Sequence, residues 1–219
     1  MADIVKRITA RPIQLADKII KEADFACSYK QECADIKCKT QHLGDLLRQV
    51  ARANNVCERP ARVIIDDTEK NLDKTLRLVF KCQANRLLRM FIIISPEAIR
   101  NFSQPIEFSL SDVSWLLHIS TPGTYKCYEG LEFPPVAANQ PALCLIWELI
   151  ATLYCGTVDD RADAAATLLE MARKCERYRG CIIEEGGMPP LLKLAREDRV
   201  EGQQSAIRAI RLLNGDAEC

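Results

Sequence analysis

Two histidines and eleven cysteines are the residues from which nucleophilic or metal chemistry would have to be assembled in this 219-residue chain. His42 and His118 fall on separate predicted helices, and the closest cysteine spacings are Cys33-x4-Cys38, Cys175-x5-Cys181 and Cys27-x5-Cys33, with no Cys-x-x-Cys pair. Cys33, Cys38 and His42 invite a zinc reading. On one helix, however, their offsets of 5 and 9 residues spread the three side chains over different faces, unlike the short-loop spacing of zinc ligands. The phosphate-loop, dinucleotide, nucleophile-elbow and zincin motifs are all missing from the sequence. The carboxylates of "IIDDTE" and "TVDD" read as charges that complement helix N-termini rather than as an acid/base pair. These residues predict no catalytic site, no metal site and no cofactor, so a non-enzymatic protein is expected.

The sharper chemical feature is a charged strip near the start of the chain. At 100° per residue Arg7, Arg11 and Lys18 lie within about 40° of one another, with Lys21 close by. They run beside the apolar stripe Ile4, Ile8, Leu15 and Ile19. A basic strip flanking an apolar face can lie on an anionic lipid surface, each basic residue contributing about 1 kcal/mol. The competing reading is the solvated face of a packed helix, and Pro12 could rotate the two halves out of line.

Helices must position these residues, and the composition favours helices. Hydrophobic residues make up 48% of the chain and charged residues 27%, with only nine glycines, so helix formers dominate and turn residues are few. An all-α fold is expected. Residues 1–100 carry 19 Lys/Arg against 13 Asp/Glu and the remainder 11 against 17, a basic front and an acidic back that suggest two units with different partners. The basic excess is too small to point to nucleic acid. The N-terminus "MADIVKRITARP" carries charges through any would-be signal, so the cysteines are expected to be reduced thiols of a cytoplasmic or nuclear protein. The dense apolar run "MFIIIS" at 90–95 is far too short to span a bilayer.

The front half parses into amphipathic segments. Ile4, Ile8, Leu15, Ile19 and Ala23 mark the first, with a kink or a fresh start at Pro12. Ile36, Leu43, Leu47 and Val50 mark the second, which stops at Asn54-Asn55. The third begins after Pro60 with Ile65, Leu72, Leu76 and Val79, its solvent face bearing Asp66/Lys70 and Asp73/Arg77 pairs. "SPEAIRNF" reads as a short helix capped by Ser95. Ile106, Leu110, Val113 and Leu117 mark a fourth long segment, with Trp115 beside the stripe. Residues 1–120 are expected to form an antiparallel four-helix-type bundle. Residues 121–141 hold four prolines and no helical period, and read as a linker.

From 142 to 219 the pattern changes. "ALCLIWELIATL" is an apolar helix, and Ala164, Thr167, Leu168 and Met171 repeat their spacing at Ala206, Ala209, Ile210 and Leu213, 42 residues later. Gly186-Gly187 ends one short segment and Pro189 starts the next. Small residues that let helices approach, with glycine punctuation at this period, predict about one and a half armadillo-type repeats of an α-solenoid. Peptide-capturing arrays place Trp and Asn on the third helix. Those positions hold Ala166 and Glu170, then Arg208 and Leu212, so capture of import-type peptides is disfavoured. Gln204, Arg208 and Arg211 are the candidate partner contacts. A repeat lacking its following neighbour would expose an apolar face, which predicts self-association.

The segments "MADIVKRITARPIQLADK", "RVIIDDTEKNLDKTLRLVFKCQAN", "SDVSWLL", "PPVAANQPALCLIWELIA" and "RYRGCIIEEGGMPPLLKL" together resemble the plant armadillo-repeat-only proteins, over essentially the whole chain. The resemblance implies a scaffold of polarised tip growth, peripheral to the plasma membrane, with regulators of Rho-type GTPases as partners. It also likens the front domain to the bundles of plant immune receptors and cell-death proteins. The rivals to an adaptor are thus a bundle that oligomerises or perturbs membranes, and a short form that competes with full-length relatives.

Overall fold

The computed structural model describes residues 2–53, 56–83, 101, 103–121, 134–196 and 200–215. Among these the fold is all-α, with nine α-helices. The helices are α1 (Ala2–Ala23), α2 (Lys30–Arg52), α3 (Glu58–Gln83), α4 (Gln104–Ile119), α5 (Pro141–Cys155), α6 (Val158–Lys174), α7 (Glu176–Glu184), α8 (Met188–Leu194) and α9 (Val200–Leu213). A 3-10 turn, Pro135–Ala137, precedes α5, within the stretch expected to be a structureless linker. The expected Ser95-capped helix lies outside the described residues. The chain divides into two compact units: Met1–Asn54, Ala61–Leu117 and Pro134–Val136, then Asn55–Pro60, His118–Phe133 and Ala137–Cys219.

In the first unit α1 packs along α2. The pair is antiparallel, since Asp17 meets Arg48 at 2.5 Å while Asp24 meets Lys37 at 2.6 Å. α1 and α3 run the same way, with Arg11 against Glu69 and, further on, Gln83 Nε2 donating to the Glu22 carbonyl. α4 is tied to α2 by Lys39–Glu107 at 2.7 Å and to α3 by Asn71 Nδ2 donating to Ser109 Oγ. The core is built as the apolar positions of α2 and α3 predict: Ile36, Leu43, Leu47, Val50, Ile65, Leu72 and Val79 are all inaccessible or nearly so.

Several expectations are corrected. Of the two readings of Pro12, no fresh helix starts there: α1 is continuous from Ala2 to Ala23 with the proline inside it. The buried seam of α1 is Val5, Thr9, Pro12, Ala16, Ile19 and Ala23, whereas Ile4, Ile8 and Leu15 are half-buried along its flank. The seam has the alternating 4,3 spacing of close helix packing, and Thr9 is accommodated in it by donating its hydroxyl to the Val5 carbonyl at 2.8 Å. α3 starts at Glu58, two residues before Pro60, because a proline in the first turn forgoes no intrahelical hydrogen bond. Asp66 and Asp67 therefore lie well inside α3 rather than at its N-terminus. Of the two i,i+4 pairs read on α3, Arg77–Asp73 forms at 2.7 Å, and Asp66/Lys70 forms no ion pair.

In the second unit α5, α6, α8 and α9 pack around one another, with the short α7 set against α6. α6 begins with a capping box: Thr157 Oγ1 accepts from the Asp160 N–H, and the Asp160 carboxylate accepts from the Thr157 N–H. Gly186 sits at φ 84° between α7 and α8, and a Cβ on Gly187 would fall 2.7 Å from Ile182 Cγ2, so the double glycine serves both conformation and close packing. α9 approaches α6 where Gly202 faces Ala162, leaving only 3.2 Å from a built Cβ to the alanine Cβ. Ala164, Leu168, Met171, Ala206, Ala209 and Leu213 are buried as the repeat spacing expects. Ile210 is only half-buried, and Thr167 is exposed and donates to the Asp163 carbonyl, with Ala165 occupying the buried position beside Ala164 instead.

Candidate interaction surfaces

All four basic residues read from the start of the chain are exposed on α1, opposite its buried seam. They are not equivalent. The Arg11 Nε lies 2.6 Å from Glu69 Oε1 across the groove to α3. Lys18 Nζ stands 5.4 Å from the centroid of the Phe80 ring, an arrangement in which the cation is attracted to the face of the ring. Arg7 and Lys21 have no side-chain partner among the described residues. The groove beside Arg11 is lined by Asp66, Glu69, Lys70, Asp73 and Arg77, so its charges are mixed and its ion pairs largely satisfied within it.

The end of the first unit next to Lys18 and Lys21 is unusual in composition. Residues 24–29 connect α1 to α2, and three donors of this turn converge on one acceptor. The Cys27 N–H, the Ser28 N–H and Ser28 Oγ all donate to the Cys82 carbonyl in the last turn of α3, at 3.0, 3.1 and 3.0 Å. Tyr29, with φ 53°, makes the left-handed corner that turns the chain into α2. The pinned turn presents Phe25, 68% exposed, and α3 presents Phe80, 41% exposed, at the same end. No periodicity announces this feature, because "DFACSYK" reads from sequence as an unremarkable connection.

In the second unit Gln204, Arg208 and Arg211 are exposed and share one face of α9, opposite Ala206, Ala209 and Leu213. A separate open cleft of about 360 Å3 lies between α5 and α7, lined by Gln140, Leu143, Ile146, Cys175, Tyr178 and Arg177 among others. Cys181 also borders it. Its thiol pKa is raised by burial and by Glu185 and Glu184, against the opposing charge of Arg177, which leaves it a poor nucleophile. Below the cleft the Trp147 indole N–H donates to Glu185 Oε2 at 2.7 Å, fastening α5 to the end of α7.

The remaining titratable groups serve packing. Cys33 is buried and hydrogen bonded to Cys82; that contact and burial both push its pKa up. Burial, with Cys155 alongside, pushes Cys57 up to about 12. Cys38 and His42 are exposed while Cys33 points into the core, so the triplet considered for zinc is not brought together. Sequence reasoning missed Asp112, which is inaccessible on α4 and accepts a hydrogen bond from the Val136 N–H at 3.0 Å. Burial raises its pKa to about 6, with the Val136 N–H opposing and the charge of Asp67 adding to the rise. Among the described residues no helix is long and apolar enough to cross a membrane.

Fold and surfaces together define an all-helical protein of two compact units, the first carrying the exposed basic face of α1. A family model described as "Domain of unknown function (DUF7792)" matches residues 6–121, more than half of the chain, and the chain belongs to that family. The match spans the stretch from α1 through α4. No curated protein and no solved structure matches the chain.

Proposed function

We propose that this chain is a non-enzymatic adaptor in which a four-helix-type bundle docks on an anionic membrane and an armadillo-type helical stack presents a surface to a protein partner. The observation that carries this reading is the exposed basic face of α1, Arg7, Arg11, Lys18 and Lys21, on a helix whose opposite face is entirely consumed by packing. A helix held in this way can offer charge to a lipid surface without unfolding the unit. The stack reading is supported by the sharp turns at Gly156, Cys175 and Gly186-Gly187, and by the close approach of α9 to α6 at Gly202. The resemblance to plant armadillo-repeat-only proteins supports a cytoplasmic position at the plasma membrane, and regulators of Rho-type GTPases as partners, with the Gln204/Arg208/Arg211 face as their contact.

Flotation with vesicles tests the reading. The protein is expected to float with phosphatidylserine-containing vesicles and not with pure phosphatidylcholine, and Arg7→Glu/Lys21→Glu is expected to abolish the difference. These two residues are chosen because neither holds another side chain in place. Binding indifferent to lipid charge, or to this substitution, contradicts the proposal.

A second reading is favoured by the polar interior of the same unit, where the Thr40 and Thr68 hydroxyls are buried without a hydrogen-bond partner among the described residues. An interior of that kind suits a bundle that opens and perturbs membranes. Dye release from phosphatidylserine vesicles on addition of the protein would select it over passive docking.

A further inference from the structure

We infer that the first unit meets an anionic membrane end-on, with Phe25 inserted among the lipid headgroups and Lys18, Lys21, Lys30 and Lys81 gathered around it. The inference rests on the membrane reading above and names the part of the unit that enters the lipid.

Four observations converge on this end. Phe25 is the most exposed of the large hydrophobic residues described, at 68%. A ring left in water by a slack loop would carry little meaning, but this loop is not slack. Its backbone is fixed by three hydrogen bonds to the Cys82 carbonyl, by the Phe25 N–H to the Glu22 carbonyl at 3.1 Å and by the left-handed Tyr29. The fold thus holds a phenylalanine outward, at a cost in exposed apolar area that packing could have avoided.

Phe80 is the second observation. It lies two residues before the carbonyl that anchors the turn, and Lys18 stands over its ring. The pair keeps a cation and an aromatic surface side by side at the boundary of the unit, as interfacial side chains with an apolar body and a charged tip do.

The charges are the third. Lys21, Lys30 and Lys81 are exposed at the last turn of α1, the first of α2 and the last of α3, and none has a side-chain partner among the described residues. The carboxylates nearby are mostly engaged. Asp24 is held by Lys37, Glu22 accepts from Gln83, and Glu32 is half-buried beside Cys33. Only Asp24 is offset by a cation; Glu22 and Glu32 keep their charges but are half-buried, so the four exposed lysines leave this end net positive and complementary to a negatively charged plane.

The fourth is geometry. Lys21 is about 20 Å along α1 from Arg7, at 1.5 Å per residue. A side-on contact would use the whole strip, whereas the exposed rings beside α1, Phe25 and Phe80, are at its C-terminal end; the other exposed phenylalanine of the unit among the described residues, Phe108, belongs to α4. Lys21, Lys30 and Lys81 come from the ends of three helices that meet where the turn carries Phe25, and Lys18 joins them from further up α1. That arrangement fits a surface better than a single nucleic-acid strand, which stacks its bases along a charged groove. A second copy of the chain fits worse, since its own end would bring the same lysines.

The test uses the full chain carrying Phe25→Trp. The native tryptophans Trp115 and Trp147 are 2% and 1% exposed, so their emission is expected to be unchanged by vesicles and the wild type serves as the spectrum to subtract. On adding phosphatidylserine vesicles the new indole is expected to shift to the blue and to be quenched by lipids brominated near the headgroup. Phe25→Ser is expected to weaken vesicle binding at least about five-fold, in line with removal of a partly buried aromatic ring, and Arg7→Glu to weaken it less than Lys21→Glu. Vesicle binding with no spectral shift and no quenching overturns the insertion and leaves docking intact. No vesicle binding at all overturns both. Capture of a single-stranded oligonucleotide in place of vesicles overturns the lipid assignment.

Discussion

The two units solve the packing of helices in opposite ways. The first buries Thr9, Thr40, Thr68, Asn71, Thr75, Ser109 and Asp112 among its aliphatic side chains. Polar groups join its elements: Asn71 Nδ2 of α3 donates to Ser109 of α4 as well as to Asp67 on its own helix, and Asp112 of α4 takes the N–H of Val136 in the 3-10 turn. The second buries Ala164, Ala165, Ala172, Ala206 and Ala209 with leucines and one large indole, and few polar side chains. Its contacts are specified by shape, through small residues that bring backbones close and glycines that turn sharply. A polar interior is costly unless every group is paired, and it responds to pH. A small-residue interior is sensitive to volume instead. The first unit should therefore be the conditional one, and the second the rigid one.

The largest effect expected from this contrast is in the second unit. Trp147→Ala removes a fully buried indole and strands Glu185 without its donor, and should cost about 3–5 kcal/mol in urea denaturation followed by circular dichroism. Loss of less than about 1 kcal/mol would mean that this interior tolerates a cavity and is not specified by shape.

Asp112 is the corresponding point in the first unit, with the opposite sign. Its pKa is about 6 in the folded chain against an ordinary 3.8. The folded state thus holds a proton between those values that the unfolded state has released. Stability contributed by this group is present at about pH 4 and is lost as pH rises through 6. Asp112→Asn keeps an oxygen to accept from Val136 and removes the buried charge. It should raise stability at pH 7.5 by roughly 1–3 kcal/mol and flatten the dependence between pH 4 and 7. Thermal melts of the variant and wild type across that range provide the check.

Smaller again are the unpaired hydroxyls. Thr40→Val and Thr68→Val keep the shape and remove a buried oxygen without a partner, so each should stabilise by about 1 kcal/mol. Arg11→Ala is the smallest, since an ion pair with one side chain 70% exposed is screened by water. It should change stability by less than about 0.5 kcal/mol.

Much of the architecture was legible because α2 and α3 keep large aliphatic residues at helical spacing. The helix N-terminus at "TVDD" and the Gly186-Gly187 turn were legible because their chemistry is local, though the Thr157 half of the capping box was not read. The seam of α1 was not. Thr9, Pro12 and Ala16 look like poor core residues until Thr9 satisfies its own hydroxyl and Ala16 meets the small Gly44 of α2. The basic strip was readable from angles alone, but its neighbours were not. Glu69 and Phe80 lie some sixty residues away in sequence from Arg11 and Lys18, and only the packing of α3 against α1 brings them together. Phe25 gave no signal because exposure in a turn is what composition expects. Its meaning comes from the hydrogen bonds that hold the turn still.

The central claim is that membrane contact belongs to the first unit and partner contact to the second. Flotation with phosphatidylserine vesicles of two charge-reversed chains, Arg7→Glu/Lys21→Glu on α1 and Arg208→Glu/Arg211→Glu on α9, tests it most directly. The account predicts that the α1 variant loses vesicle binding while the α9 variant floats as the wild type does. Equal loss in both, or loss confined to the α9 variant, would contradict it.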